Sequence, residues 1–417
     1  MGGVTDATVA HADSSSSARA ERMRGIVVIV IAFLGMILSM PTVIGYSIGV
    51  FMLSLESSEG WDRANVSLAM TFFSIVMFLM SALAGRLADA VGAARAGGAS
   101  MLAFGLALVI GSRLVDSVEG LWLFYAVAAV AGIATTPVVL LRPVAANFSA
   151  RRGIAMGVVL CGVGLGAALV PQFATFVVSR EGWRDGYAAF GVAAIVFAPV
   201  LWLALREGAA EQAAKNTIGE VASTGGPSLK TAFKEGRFWL LSTISLMGML
   251  GLSGFVSHLI PLARDQGMGA AEAAGVASVL GISSIVGRIG TGLALDRVPG
   301  KFVGIAVFSI GATGMLLLAS KQVDPLFAAM MIGLTLGAEV DLLAYLVSRY
   351  YGLRAFAAIF GWNYGMLSIG ALASPIMFAL LQQSAGTYSG ALFAAATALS
   401  FAAFGCLFLG QYARQEE

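Results

Sequence analysis

Residues 65–84 read NVSLAMTFFSIVMFLMSALA, residues 85–95 read GRLADAVGAAR, and residues 97–113 read GGASMLAFGLALVIGSR. The first run holds no charged residue and the last holds only Arg113. A helix crosses a bilayer core of roughly 30 Å with about 20 apolar residues. The stretch is therefore two membrane spans joined by a short charged loop. The rest of the chain repeats this pattern. Twelve spans are expected, at 26–52, 65–84, 97–113, 120–146, 154–178, 187–205, 238–262, 272–294, 302–319, 326–348, 355–381 and 388–411.

Composition agrees. Of 417 residues, 58% are hydrophobic and only 12% are charged. A soluble domain is about 45–50% apolar and about 25% charged, so a soluble enzyme, a nucleic-acid-binding module and a disordered chain are excluded. The 52 glycines suit closely packed membrane helices. Cys161 and Cys406 lie in apolar runs and read as buried thiols. His11 and His258 are the two histidines, too few for a zinc site or a Ser-His-Asp triad. No cofactor, metal site, catalytic residue or enzyme activity is expected, and no nucleic-acid partner.

Orientation follows from the basic residues, which are enriched in cytoplasmic loops. With the N-terminus inside, seventeen of the 25 lysines and arginines fall on the cytoplasmic side and six on the other. The remaining two, Arg142 and Arg288, lie inside spans. Both termini are therefore expected in the cytoplasm, in a multi-pass plasma (inner) membrane. The expected layout is a disordered tail at 1–24, a six-helix half at 25–206, a cytoplasmic linker at 207–236, a second half at 237–411 and a tail at 412–417.

Weak internal repetition supports two halves. Gly85-Arg86-Leu87-Ala88-Asp89 follows span 2, and Gly292-Leu293-Ala294-Leu295-Asp296-Arg297 follows span 8 about 207 residues later. FSARRGIAMG from Phe148 resembles YGLRAFAAIFG from Tyr351 at a similar offset. Parallel repeats around a midplane site are one layout of secondary transporters. The loop Gly85, Arg86, Leu87, Ala88, Asp89, Gly92, Arg95 resembles the G-x-L-a-D-x-x-G-x-x-R signature of the major facilitator superfamily. That resemblance implies an all-α membrane protein, with twelve transmembrane helices in two six-helix pseudo-symmetric halves. It also implies a gating latch built on Asp89, with Arg86 and Arg95 as basic companions. Asp296 and Arg297 form a looser second copy. A carboxylate suits such a latch because it can cap a helix N-terminus and pair with Arg.

Three further stretches narrow the resemblance: GWDRANVS from Gly60, NFSARRGIAMG from Asn147, and Gly182-Trp183-Arg184. Together they resemble the monocarboxylate transporters and their microbial relatives, including oxalate/formate exchangers. In those families an Arg in span 8 binds substrate carboxylate, and Arg288 matches it. The animal members place an Asp four residues earlier, where this chain has Ser284. Their Lys in span 1 or span 11 has no counterpart here.

Charges inside the spans are the chemical signal. Each costs roughly 2.5–3.5 kcal/mol at mid-bilayer, so Arg142, Arg288, Glu339 and Asp341 must pair, hydrate or face a cavity. Arg142 and Arg288 each lie nine residues before a cytoplasmic Arg, and Asp341 lies eight before Arg349. At about 1.5 Å per residue this sets one layer roughly 12–14 Å above the cytoplasmic edge. Residues two apart on a helix point about 200° apart, so Glu339 and Asp341 cannot both face a cavity. Asp341 shares its face with Tyr345 and Ser348, the more polar side. A span-10 carboxylate can then replace the missing Asp as partner of Arg288. Arg288 and Arg142 are the candidate carboxylate ligands, with Tyr46, Gln172, Asn363 and Tyr345 as lining residues. Pro143 is expected to loosen the helix beside Arg142. Asp341, Glu339 and His258 are the candidate proton carriers.

The expected protein is a monomeric secondary transporter, coupling a proton to a small organic monoanion. Exchange of the oxalate/formate type and efflux of another solute are the rival readings.

Overall fold

In the computed structural model the described residues are 23–61, 63–148, 152–206 and 227–410. The two expected tails and residues 207–226 of the expected linker lie outside them, apart from Met23 and Arg24. The described residues form helices and no strand. Eleven helices are long and apolar enough to span a membrane. One of them, Arg152–Leu205, has 54 residues. At 1.5 Å per residue it would run to about 80 Å. It is two spans: Gly182 has φ 85° and ψ 173°, a conformation open to glycine, and the chain reverses there. The described residues therefore form twelve spans, as the sequence predicts.

They are α1 (residues 23–59), α2 (Arg63–Val91), α3 (Ala93–Leu114), α4 (Val118–Asn147), α5 (residues 152–181), α6 (residues 183–205), α7 (Gly236–Asp265), α8 (Ala270–Leu295), α9 (Gly300–Ala319), α10 (Pro325–Tyr351), α11 (Phe356–Ala385) and α12 (Ser389–Leu407). Large apolar side chains such as Leu123, Val196 and Leu380 are more than 60% exposed on the outside of the bundle. A multi-pass protein presents such a surface to lipid tails. We call the face at which α1 begins and α12 ends the terminal face, and the opposite one the far face.

α1 and α4 are both broken, and the breaks meet. α1 interrupts at residues 38–39 before Met40-Pro41, and α4 passes through a short 3-10 turn, Ile133–Thr135. The Thr135 hydroxyl accepts from the Met40 amide at 3.0 Å, and the Ser100 hydroxyl accepts from the Ala134 amide at 3.0 Å. Side chains thus take up backbone groups that the broken ladders release, as a span in lipid requires. The α4 break lies ahead of Pro137. Pro143, where the sequence suggested it, sits inside a continuous helical segment.

α2 packs on α11 and α5 packs on α8, joining the two sets of six helices. α3 lies against α6 and α9 against α12 at the periphery.

Candidate functional site

In the second set the backbones of α8 and α10 pack in contact. A Cβ on Gly337 would collide with the Ser284 carbonyl, and one on Gly287 with the Leu334 carbonyl. Small residues let these backbones touch. One turn further along both helices, Arg288 and Asp341 come side by side. Arg288 Nη1 donates to Asp341 Oδ1 at 3.1 Å. Arg288 is 9% exposed and Asp341 1%. The pair is half-used: Arg288 Nε and Asp341 Oδ2 have no hydrogen-bond partner. Ser284 does not take the place of an acid, since its hydroxyl turns back to the Gly281 carbonyl at 2.8 Å.

Other helices complete the surroundings. The hydroxyls of Tyr46 on α1 and Tyr364 on α11 lie within the electrostatic reach of Arg288, and Tyr364 within that of Tyr46. Tyr46 is 45% exposed, so the layer is not sealed on the α1 side. Glu339 points elsewhere, as its phase on α10 requires. It is 3% exposed, its Oε1 has no hydrogen-bond partner, and it fills the slot left by Gly248 of α7.

At the terminal face two carboxylates tie the sets of helices together. Asp89 Oδ2 accepts from the Ala358 amide at 3.1 Å, and the Ala357 amide also donates to Asp89. It therefore caps the N-terminus of α11. Asp296 Oδ1 accepts from the Gly153 amide at 2.8 Å and Oδ2 from the Ile154 amide at 3.1 Å, capping α5. Carboxylates at helix N-termini meet both free N–H groups and the positive end of the helix dipole. Gly85 allows the crossing, since a Cβ there would strike the Ala357 carbonyl. Gly92, at φ 90°, turns the chain from α2 into α3.

Several sequence expectations need correction. The basic companion of Asp89 is Arg142, whose Nε donates to Asp89 Oδ1 at 3.0 Å. Its long side chain reaches down to the latch and away from the Arg288 layer, so the expected layer of two arginines contains one. Arg86, Arg95 and Arg297 are exposed. Arg86 lines a surface groove with Lys230 and Arg354. Gln172 is exposed, bonded to the Ala168 carbonyl of its own helix, and far along α5 toward the far face. Asn363 is fully buried between α11 and α7, accepting from Ser242 at 3.2 Å and donating to the Ile359 carbonyl at 2.9 Å. Tyr345, one turn from Asp341, receives a hydrogen bond from Arg349 Nε at 3.1 Å. His258 links α7 to α11, with Nε2 3.2 Å from the Pro375 carbonyl and Nδ1 3.2 Å from the Tyr388 hydroxyl. Of the expected site residues the structure thus gathers Arg288, Asp341 and Tyr46, together with Tyr364 and the half-buried Cys161, which also feels the charges of Arg288 and Asp341.

Twelve spans in two sets of six, joined by carboxylate caps at one face, are the architecture of a membrane transporter. The family model described as Major Facilitator Superfamily matches residues 25–375, and the chain belongs to that family. Among curated relatives, the MFS transporter asaE of Aspergillus flavus is 26% identical over 359 residues, covering 82% of this chain and 77% of the relative. Monocarboxylate transporter 13 of Bos taurus is 29% identical, covering 62% of this chain and 60% of that protein. Among solved structures, a fucose:proton symporter of E. coli superposes with a TM-score of 0.71 at 13% identity, covering 94% of this chain and 99% of that one. That likeness establishes the fold.

Proposed function

We propose that this transporter carries a small organic monoanion together with a proton, through a plasma (inner) membrane, with the terminal face in the cytoplasm. The single observation that carries this reading is the half-used pair of Arg288 and Asp341. The planar guanidinium fork matches a carboxylate with two parallel hydrogen bonds. Asp341 now holds one of its donors. If Asp341 takes a proton, it releases the fork, and a substrate carboxylate replaces it.

Charge counting then couples the two species. Arg288 with ionised Asp341 is neutral. Arg288 with protonated Asp341 and a bound carboxylate is neutral too. Either species alone would leave a net charge in a buried layer, which costs several kcal/mol. Substrate and proton therefore enter and leave as a pair. Tyr46 and Tyr364 offer hydroxyls to the rest of the anion. Glu339, buried and with Oε1 unpartnered, is a second proton holder, set apart from the substrate. With both latches made, the terminal face is shut. Release there requires Asp89 and Asp296 to leave the helix ends that they cap, as residues 25–206 and 237–411 rock about the layer. The similarity to a monocarboxylate transporter supports this substrate class.

The test is uptake of a panel of labelled organic acids into proteoliposomes, with and without an inward proton gradient. Wild type and Arg288→Ala are compared after both are shown to be folded. Uptake driven by the gradient and lost in the variant is expected. Uptake that needs an internal anion in place of the gradient would move the reading to exchange.

A further inference from the structure

The two cysteines read alike in the sequence and differ in the structure. Cys406 is fully buried against Gly304. Cys161, on α5, is half-buried. Its neighbours on the same helix fix its direction. At Gly157, one turn earlier, a Cβ would stand 3.0 Å from the Arg288 carbonyl oxygen and 3.4 Å from Asp341 Oδ2. At Gly164, three residues later, a Cβ would stand 3.4 Å from Ile285 Cγ1 of α8. Positions four before and three after a helical residue share its face. The thiol of Cys161 therefore lies on the stripe of α5 that faces α8, within the charge field of Arg288 and Asp341.

That stripe faces the polar atoms left without partners. Asp341 Oδ2 looks toward Gly157, and Arg288 Nε is open as well; both residues are at least nine-tenths buried. The other walls carry large or charged groups: Tyr46 from α1, Arg288 from α8, Asp341 from α10 and Tyr364 from α11. On this stripe α5 presents Gly157, Gly164 and the Cys161 thiol. A thiol is a weak hydrogen-bonding group that packs as a small apolar one, so its role here is volume.

We propose that Cys161 is the wall that the first six helices contribute to the Arg288 site. A small carboxylate held by Arg288 lies against its thiol, and the side-chain volume at this position sets the largest acid admitted. The inference rests on the reading of Arg288 as the carboxylate ligand. It adds a specificity-determining residue on the half that carries no midplane charge.

The experiment uses full-length protein carrying Cys406→Ser in proteoliposomes. Labelling of Cys161 by methyl methanethiosulfonate, a small neutral thiol reagent, is followed by intact mass, with Ser57→Cys on the far face as an exposed control. Labelling of Cys161 is expected, and an acid that is transported should slow it at least tenfold at saturation. Arg288→Gln should abolish the protection and leave the labelling. In uptake, Cys161→Phe should shift the ratio of small to large acids at least tenfold toward the small, whereas Cys161→Ser keeps the wild-type ratio. No labelling under conditions that modify the control overturns the proposal. So does labelling that no transported acid slows, and in that case the measured uptake still supports Arg288 as the carboxylate ligand. If no acid is transported and none protects, the reading of Arg288 itself falls.

Discussion

The terminal face and the midplane stand in opposite relations to the internal repeat. At the terminal face the two copies match. Asp89 and Asp296 are 207 residues apart, and each caps a helix of the other half. The capped amides also correspond, Gly153 and Ile154 lying 204 residues before Ala357 and Ala358. Even the backbone crossings agree: Gly157 sits on the Arg288 carbonyl, and Gly361 sits on the Ser81 carbonyl, 207 residues earlier. At the midplane the same correspondence fails in chemistry. Ser81 occupies the place of Arg288, and its hydroxyl bonds only to the Met77 carbonyl. A gate that closes two halves needs a lock on each. The proposed site, for one anion and one proton, needs its charges once.

The asymmetry of the midplane is tested most strongly by neutralising one partner of the pair and altering the N-terminal counterpart of the other. Asp341→Asn leaves Arg288 buried without a counter-charge, and such a loss costs about 3–5 kcal/mol. Ser81→Ala removes one local hydrogen bond, worth about 1 kcal/mol. Thermal unfolding in detergent is expected to separate the two variants in this order. Comparable losses would mean that the N-terminal half carries a hidden share of the site.

The latches should respond alike. Hydrogen bonds to a charged group contribute about 1.5–3 kcal/mol each, so Asp89→Asn and Asp296→Asn should each favour opening of the terminal face about tenfold or more. Asp89→Asn should do so more strongly, since it also frees Arg142. Distances between spin labels on the two halves at that face report the shift. An effect from one variant alone would show that only one lock holds.

The two crossings also differ in how tightly they pack. A Cβ at Gly361 falls on the Ser81 carbonyl, whereas one at Gly157 stops 3.0 Å short of the Arg288 carbonyl. Overpacking costs about 1–3 kcal/mol. Gly361→Ala is expected to lower thermal stability by that amount. Gly157→Ala should change stability less and uptake more, because its methyl group meets Asp341 Oδ2.

What the sequence revealed, and what it hid, follows from the range of each interaction. Apolar run length is local, so twelve spans were legible, including the reversal inside the longest helix. Charges in apolar runs are conspicuous, and the phase of α10 separated Asp341, which meets Arg288, from Glu339, which meets Gly248. Side-chain reach was not legible. Arg142 has the depth of a midplane residue, but its guanidinium extends to Asp89. Tyr345 shares a face with Asp341, yet one helical turn hands it to Arg349. Cys161 could have been found from Gly157 and Gly164, had the partner of their face been known. The breaks in α1 and α4 depend on each other across the bundle, and no single segment announces such a match.

A lock inside one half should matter least. At the far face Glu59 accepts from Trp183 Nε1 at 3.0 Å and from Arg184 Nη1 at 2.7 Å, tying the end of α1 to the start of α6. The Trp183 N–H and the Arg184 guanidinium hold its carboxyl below the usual carboxylate range. A carboxyl lowered in the folded protein contributes its stability above the unfolded value. That contribution fades as pH falls through the folded value. A partly exposed pair of this kind is worth up to about 1 kcal/mol. Glu59→Gln should therefore lower the unfolding temperature slightly at neutral pH and match wild type under acid conditions. Because both partners move with the same six helices, the balance between open and closed terminal faces should stay put. If that balance shifts in Glu59→Gln, the first half does not move as one body, and the two latches no longer suffice to describe the gate.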